Sequence, residues 1–229
     1  MRETLVNSRH MVLSASTEAQ VYGLFAFAIG LTVLGVYGGM QFFTALFGSG
    51  LVWLLVIAEF GIILTSGFWM DSSPLNYVLF GVFPFLSGLT ITPFIIHVLT
   101  GYANGGAILV NALLSTTFMG LAACVFARTT TWNLGVMGRG LFFALLGLVG
   151  FAMLQIFIPA LRTTQIELMF SGVGVIIFGL FTAYDLQRIQ MLGARGVNPF
   201  ILALSLYLDI FNLFLYIVRF MLAISGNRR

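Results

Sequence analysis

Residues 171–189 read S-G-V-G-V-I-I-F-G-L-F-T-A-Y-D-L-Q-R-I, and residues 203–220 read A-L-S-L-Y-L-D-I-F-N-L-F-L-Y-I-V-R-F. Two long apolar runs thus carry one carboxylate each, Asp185 and Asp209. A charge inside a membrane segment is costly, which makes such a residue a functional candidate by default. The midpoint between positions 185 and 209 is position 197, inside the turn-forming Gly196-Val197-Asn198-Pro199. In an antiparallel helical hairpin, residues equally far from the turn lie at similar depth. The two aspartates are therefore expected to face each other, about two turns inside the membrane edge. Carboxyl groups held that close share a proton rather than both ionise.

The second run carries a further pattern. Ser205, Asp209, Asn212, Tyr216 and Arg219 recur at spacings of four, three, four and three. These spacings put all five on one helix face about 21 Å long. The remaining faces are Leu, Ile, Phe and Val, so the seam is expected to face protein or water rather than lipid. Hydrogen bonding to neighbouring helices is its plainest use.

Composition widens this reading to the whole chain. Of 229 residues, 60% are hydrophobic and 7% are charged, where a soluble domain has about 25% charged. At roughly 30 residues per span and loop, the length suits seven helices. The expected fold is an all-α polytopic membrane protein with seven transmembrane helices. The last, with its polar seam, is expected to lie centrally, packed against the other six. Residues 1–20 read as a polar N-terminal segment, 21–223 as the seven-helix membrane domain, and 224–229 as a short basic tail. Spans are expected near 21–43, 50–69, 76–99, 104–127, 137–158, 167–190 and 200–223.

Within these spans, Gly30, Gly35 and Gly39 predict a close helix contact. Glu59 sits near the centre of the second span, where a carboxylate must be protonated, reach water or hold a cation. Pro84 and Pro93 fall inside the third span and free backbone carbonyls there. Asn111, Ser115, Thr116 and Thr117 in the fourth are expected to bond neighbouring helices. Cys124 stands alone, so no intrachain disulfide forms, and it reads as a packed thiol.

The net charge of +3 comes from scattered arginines rather than a patch, so no nucleic-acid partner is expected. The chain contains no lysine, which excludes a retinal Schiff base despite the seven-helix count. The first 20 residues lack a signal-peptide pattern, so the first span is expected to serve as the targeting signal. Arginine counting favours a cytoplasmic N-terminus and a cytoplasmic 191–199 loop. That puts the aspartate pair near the cytoplasmic face and makes the cell (inner) membrane the expected location. The tail cations Arg219, Arg228 and Arg229 run against the same rule, so the side of the C-terminus stays open.

T-A-Y-D-L-Q at 182–187 and L-Y-L-D-I-F-N-L-F at 206–214 resemble the two C-terminal signatures of the Bax inhibitor family, also called the transmembrane Bax inhibitor motif family. S-G-L-T at 87–90 and F-M-G-L-A at 118–122 fit as well, and the similarity covers nearly the whole chain. The resemblance implies a calcium leak pathway with a di-aspartyl pH sensor, carried here by Asp185 and Asp209. It also permits a regulator of other membrane proteins or of a stress response, without transport of its own. Relatives can carry an arginine on the second helix that pairs with the aspartates. Here no arginine occurs between Arg9 and Arg128, so that latch lacks a residue. Arg188, three residues after Asp185, is the nearest substitute.

The residues themselves support a titratable carboxylate pair with Glu59 as a further ion-path candidate. Calcium takes hard oxygen ligands, so Asp185 and Asp209 are candidate calcium contacts. Arg188, Ser205, Asn212 and Tyr216 are expected to support them. The expected partners are the lipid bilayer, calcium or protons, and other membrane proteins. Calcium enters as a permeant ion, and no bound cofactor is expected. An intramembrane aspartyl protease usually has G-x-G-D at its second aspartate; the chain reads L-Y-L-D at 206–209, and no enzymatic activity is expected.

Overall fold

The computed structural model describes the backbone of residues 2–193 and 195–226, and side chains from residue 17 within that range. The described residues form helices and no strand. They are α1 (Arg2–Gln41), α2 (Phe43–Gly48), α3 (Leu51–Leu64), α4 (Ser66–Trp69), α5 (Leu75–Gly101), α6 (Gly105–Thr129), α7 (Gly138–Phe157), α8 (Thr164–Gly193) and α9 (Pro199–Ser225). Short 3-10 turns at Leu134–Met137 and Pro159–Leu161 flank α7.

Among the described residues, six helical segments are long and apolar enough to cross a membrane: Thr17–Gln41, Leu75–Gly101, Gly105–Thr129, Leu134–Phe157, Thr164–Gly193 and Pro199–Ser225. The expected second span, 50–69, is instead divided. The 14-residue α3 stops at Leu64 and the four-residue α4 follows. The break has a local cause. Thr65 turns its hydroxyl onto the Gly61 carbonyl at 2.6 Å, and the Trp69 indole donates to the Ile62 carbonyl at 2.9 Å. The Gly61 carbonyl thus accepts both the N–H and the hydroxyl of Thr65, and the Ile62 carbonyl at the helix end is satisfied by a side chain. The expected polar segment at 1–20 is helical from Arg2 and continuous with the first span. At the other end α9 runs to Ser225, and Arg228 and Arg229 lie outside the described residues.

The chain divides into two units, Met1–His97 with Met191–Tyr207, and Val98–Gln190 with Leu208–Arg229. In the first unit α1 meets α5 at glycines. A Cβ on Gly35 would strike the Phe85 carbonyl oxygen, and one on Gly88 would strike the Thr32 carbonyl oxygen. Gly39 likewise abuts Thr92, whereas Gly30 has open space around it. The expected contact thus forms at Gly35 and Gly39 and leaves Gly30 out. Without a hydrophobic drive between helices in lipid, such close backbone approach is what packs them. Helix α5 stays continuous through Pro84 and Pro93. Phe200, near the start of α9, receives Tyr77 and Phe80 edge-on, with centroids 4.8 and 5.4 Å away. The turn before α9 is fastened by Asn198. Its amide donates to the Met70 carbonyl at 2.7 Å and to Asp71 Oδ1 at 2.6 Å, and its Oδ1 accepts from Phe200 N at 2.9 Å.

In the second unit, Gly174 leaves room for the Tyr216 ring, which a Cβ would strike. That ring stacks on Phe178 at 5.5 Å and meets Phe170 at 5.7 Å. Arg162 closes the end of α7 by donating to the Gln155 carbonyl at 2.6 Å and the Ile156 carbonyl at 3.1 Å, a favourable place for a cation. Thr116 and Thr117 donate to Ala112 and Leu113 within their own helix, rather than to a neighbour. The i−4 carbonyl is always in reach of a helical threonine, and it wins here. Cys124 is half-buried rather than deep in the core.

Candidate functional site

Asp185 on α8 and Asp209 on α9 both belong to the second unit, and both are buried, 3% and 7% exposed. Their carboxyl groups interact directly, by charge and by a side-chain hydrogen bond. An ionised carboxylate only accepts, so a hydrogen bond between two carboxyl groups requires a proton on one of them. Two carboxyl groups within reach of each other are coupled, so neither changes its charge independently of the other. Asp209 Oδ2 is buried and has no hydrogen-bond partner among the described residues.

Arg188 sets its Nη1 3.7 Å from Asp185 Oδ1, with the guanidinium about one-third exposed. The separation is an ion-pair distance, longer than a hydrogen bond. One position earlier, Gln187 uses its whole amide. Its Oε1 accepts from Leu134 N at 2.8 Å and its Nε2 donates to the Trp132 carbonyl at 2.9 Å. The turn of α8 that carries Asp185 is thus clamped to the segment entering α7. The Tyr184 hydroxyl lies against Gly138, where a Cβ would come within 3.2 Å of it.

The rest of the seam on α9 divides its interactions. Asn212 is half-buried and donates to its own Leu208 carbonyl at 2.7 Å. Tyr216 joins the aromatic cluster described above. Arg219 donates Nε–H to Glu167 Oε1 at 2.6 Å and lies over the rings of Phe170 and Tyr216. Ser205 is half-buried in the part of α9 that belongs to the first unit.

Glu59 also lies in the first unit, half-buried on α3, with partners of its own. Ser87 Oγ donates to its Oε1 at 2.6 Å and Thr90 Oγ1 to its Oε2 at 2.9 Å. Ser87 Oγ also lies 3.1 Å from the Phe83 carbonyl oxygen and within interaction reach of the Tyr207 hydroxyl, which in turn lies 2.8 Å from Thr32 Oγ1. Tyr207 is fully buried and meets Phe83 edge-on.

Sequence reasoning brought out the aspartates, Glu59 and Arg188. It missed Thr32, Tyr207, Gln187 and Glu167 as participants. Ser87 and Thr90 were visible within S-G-L-T, where the i,i+3 spacing puts both hydroxyls on one helix face. Glu167 offered one signal, an acidic residue at the start of an apolar helix. Among the described residues no group of three or more His, Cys, Asp or Glu gathers in one place. Two carboxyl groups bound by a shared proton do not make the multidentate oxygen cage that retains calcium.

A family profile described as inhibitor of apoptosis-promoting Bax1 matches residues 12–227. A protein of Campylobacter jejuni is 33% identical over 223 residues, covering 96% of this chain and 94% of its own length. Protein LIFEGUARD 3 of Arabidopsis thaliana is 30% identical over 217 residues, covering 90% of this chain and 84% of its own. The inner membrane protein YbhL of Escherichia coli is 28% identical over 187 residues, covering 76% and 74%.

Proposed function

The chain belongs to the Bax inhibitor family, and from that membership we propose that it is a pH-sensitive calcium or cation leak pathway gated by Asp185 and Asp209. It is a multi-pass integral membrane protein, and its helices place it in a lipid bilayer. The observation that carries the reading is the buried pair of carboxyl groups on α8 and α9, close enough to interact with each other. A shared proton makes the pair an attractive contact between two helices. Loss of that proton leaves two like charges in a low-dielectric setting, where they repel. One protonation event thus reverses the sign of an interhelical contact, which is what a pH-operated gate needs. Arg188 moderates the switch by its charge, in place of an arginine on the second segment.

In the same reading, α3 and α4 together form the seventh membrane segment. Residues 51–69 extend about 28 Å at 1.5 Å per residue. The arginine distribution then favours a cytoplasmic N-terminus and a pair near the cytoplasmic face. YbhL is an inner membrane protein by name, and the same membrane is proposed here. Glu59 serves permeation rather than pH sensing, through its two hydroxyl-supported oxygens.

Calcium flux in proteoliposomes of the purified protein tests the proposal. Wild type is expected to show a flux that changes between about pH 5 and 8. Asp185→Asn and Asp209→Asn are each expected to flatten that profile. No flux in the wild type ends the transport reading, and two single variants with the wild-type profile end the gating one.

A further inference from the structure

In the first unit, four helices contribute to one hydrogen-bonded run. It begins at Glu59 on α3, passes through Ser87 on α5 and Tyr207 on α9, and reaches Thr32 on α1. The far end is anchored, because Thr32 Oγ1 lies 3.0 Å from the Ala28 carbonyl oxygen. Ser87, Tyr207 and Thr32 are all buried. We infer that these three hydroxyls act as a single chain whose polarity reverses with the charge on Glu59, making Tyr207 a positioning residue for proton or cation exchange at that carboxyl group.

The proton count supports two complete arrangements. Each hydroxyl has one proton to give and lone pairs to accept. When Glu59 is ionised, Thr32 donates to Tyr207, Tyr207 to Ser87, and Ser87 to Glu59 Oε1. All three O–H dipoles then point at the carboxylate, and each strengthens the next. When Glu59 is protonated, its O–H donates to Ser87, Ser87 to Tyr207 in preference to its other acceptor, the Phe83 carbonyl at 3.1 Å, Tyr207 to Thr32, and Thr32 to the Ala28 carbonyl. Every hydroxyl donates once in both states. No proton moves along the chain; only O–H bonds rotate, and no backbone has to shift. Thr90 has the same latitude beside it, with Glu59 Oε2 at 2.9 Å and the Ser87 carbonyl at 3.2 Å as alternative acceptors. Among the described residues, the titratable groups facing this run are Glu59 at its head and the Tyr207 phenol within it.

A merely structural hydroxyl cluster would keep one polarity at every pH, and infrared difference spectroscopy separates the two cases. Full-length protein in lipid nanodiscs is compared between acid and alkaline pH. The carboxylic acid band lost in Glu59→Gln identifies Glu59. The wild type is expected to show, in the same spectrum, a tyrosine C–O band, because Tyr207 changes its acceptor. That band is expected to vanish in Tyr207→Phe, Glu59→Gln and Ser87→Ala, and to persist in Tyr37→Phe, which alters an exposed tyrosine. If Tyr207→Phe fails to fold, Ser87→Ala reads the same break. A wild-type spectrum without the Glu59 band or without the tyrosine band overturns the inference, as does a tyrosine band that survives Glu59→Gln.

The consequence for ions rests on the proposed function and is read separately. Tyr207→Phe is expected to raise the half-saturating calcium concentration about fivefold, the worth of one net hydrogen bond, and to have no further effect in the Glu59→Gln background. Unchanged flux with the spectral signature intact would remove Glu59 from the ion path and leave the chain in place.

Discussion

Arg219 and Glu167 form an ion pair through a 2.6 Å Nε–H···Oε1 hydrogen bond, with the guanidinium 5.2 Å from the Phe170 ring centre and 5.6 Å from that of Tyr216. Both partners are about 30% exposed, so the pair is partly screened and the two rings matter as much as the charge. Arg219→Lys keeps the charge but loses the planar fork and the ring contact. It is expected to cost about 1 kcal/mol of stability. Glu167→Gln is expected to cost a similar amount. Thermal unfolding in detergent of the single and double variants checks this; strictly additive losses would show that the two residues are not coupled.

The contact at Gly35 and Gly88 admits no side chain. Gly35→Ala and Gly88→Ala each push a methyl group into a backbone carbonyl oxygen of the facing helix. Each is expected to destabilise by about 3 kcal/mol, the upper part of the overpacking range. Gly30→Ala meets nothing within 4 Å and is expected to be neutral or to stabilise by up to about 1 kcal/mol. Melting temperatures of the three variants, ranked against wild type, test the assignment, and equal values for all three would refute it.

Arg188 faces the aspartate pair, whereas Arg195 is an exposed loop cation. Removing a positive charge beside a carboxylate disfavours the ionised form. Arg188→Gln is therefore expected to move the pH response of calcium flux toward higher pH, and Arg195→Gln to leave it in place. Equal midpoints for the two variants would reduce Arg188 to a membrane-surface anchor.

Gln187 makes both bonds that tie α8 to the residues before α7. Gln187→Glu retains an acceptor for Leu134 N but presents no donor to the Trp132 carbonyl. It is expected to cost about 1–3 kcal/mol, the penalty for a buried group left without its partner. Gln187→Ala loses both bonds and is expected to cost more. Hydrogen exchange at Leu134 N distinguishes them: protection should survive in the Glu variant and fall in the Ala variant.

Much of this architecture is legible in the chain because lipid imposes a simple rule. Apolar runs of the right length stand out, and the structure places α5, α8 and α9 within three residues of the expected bounds. The aspartates were readable for the same reason: a charge in such a run is conspicuous, and the turn between them is short. The run through Thr32, Ser87 and Tyr207 was not readable. Thr, Ser and Tyr are common in membrane helices, and whether they meet depends on how distant segments cross. The Gly35–Gly88 approach sets one such crossing, and periodicity along one helix carries no trace of it. The break at Thr65 was missed because hydrophobicity runs on through it, while the Thr65 and Trp69 side chains end the helix.

That break bears on how the protein is made. A segment reaching the translocon is judged largely on its own hydrophobicity, and a charged residue at its centre costs about 3 kcal/mol. Helix α3 is only 14 residues long and carries Glu59. The groups that satisfy its carboxyl, Ser87 and Thr90, are synthesised later, on α5. If α3 and α4 form the membrane segment proposed above, the nascent α3 meets the partners of its carboxyl only once α5 has been made, and the two are expected to enter as a couple. On that proposal biogenesis is not a row of independent insertions, and a ribosome stalled between residues 70 and 85 is expected to leave Glu59 without its hydroxyl partners.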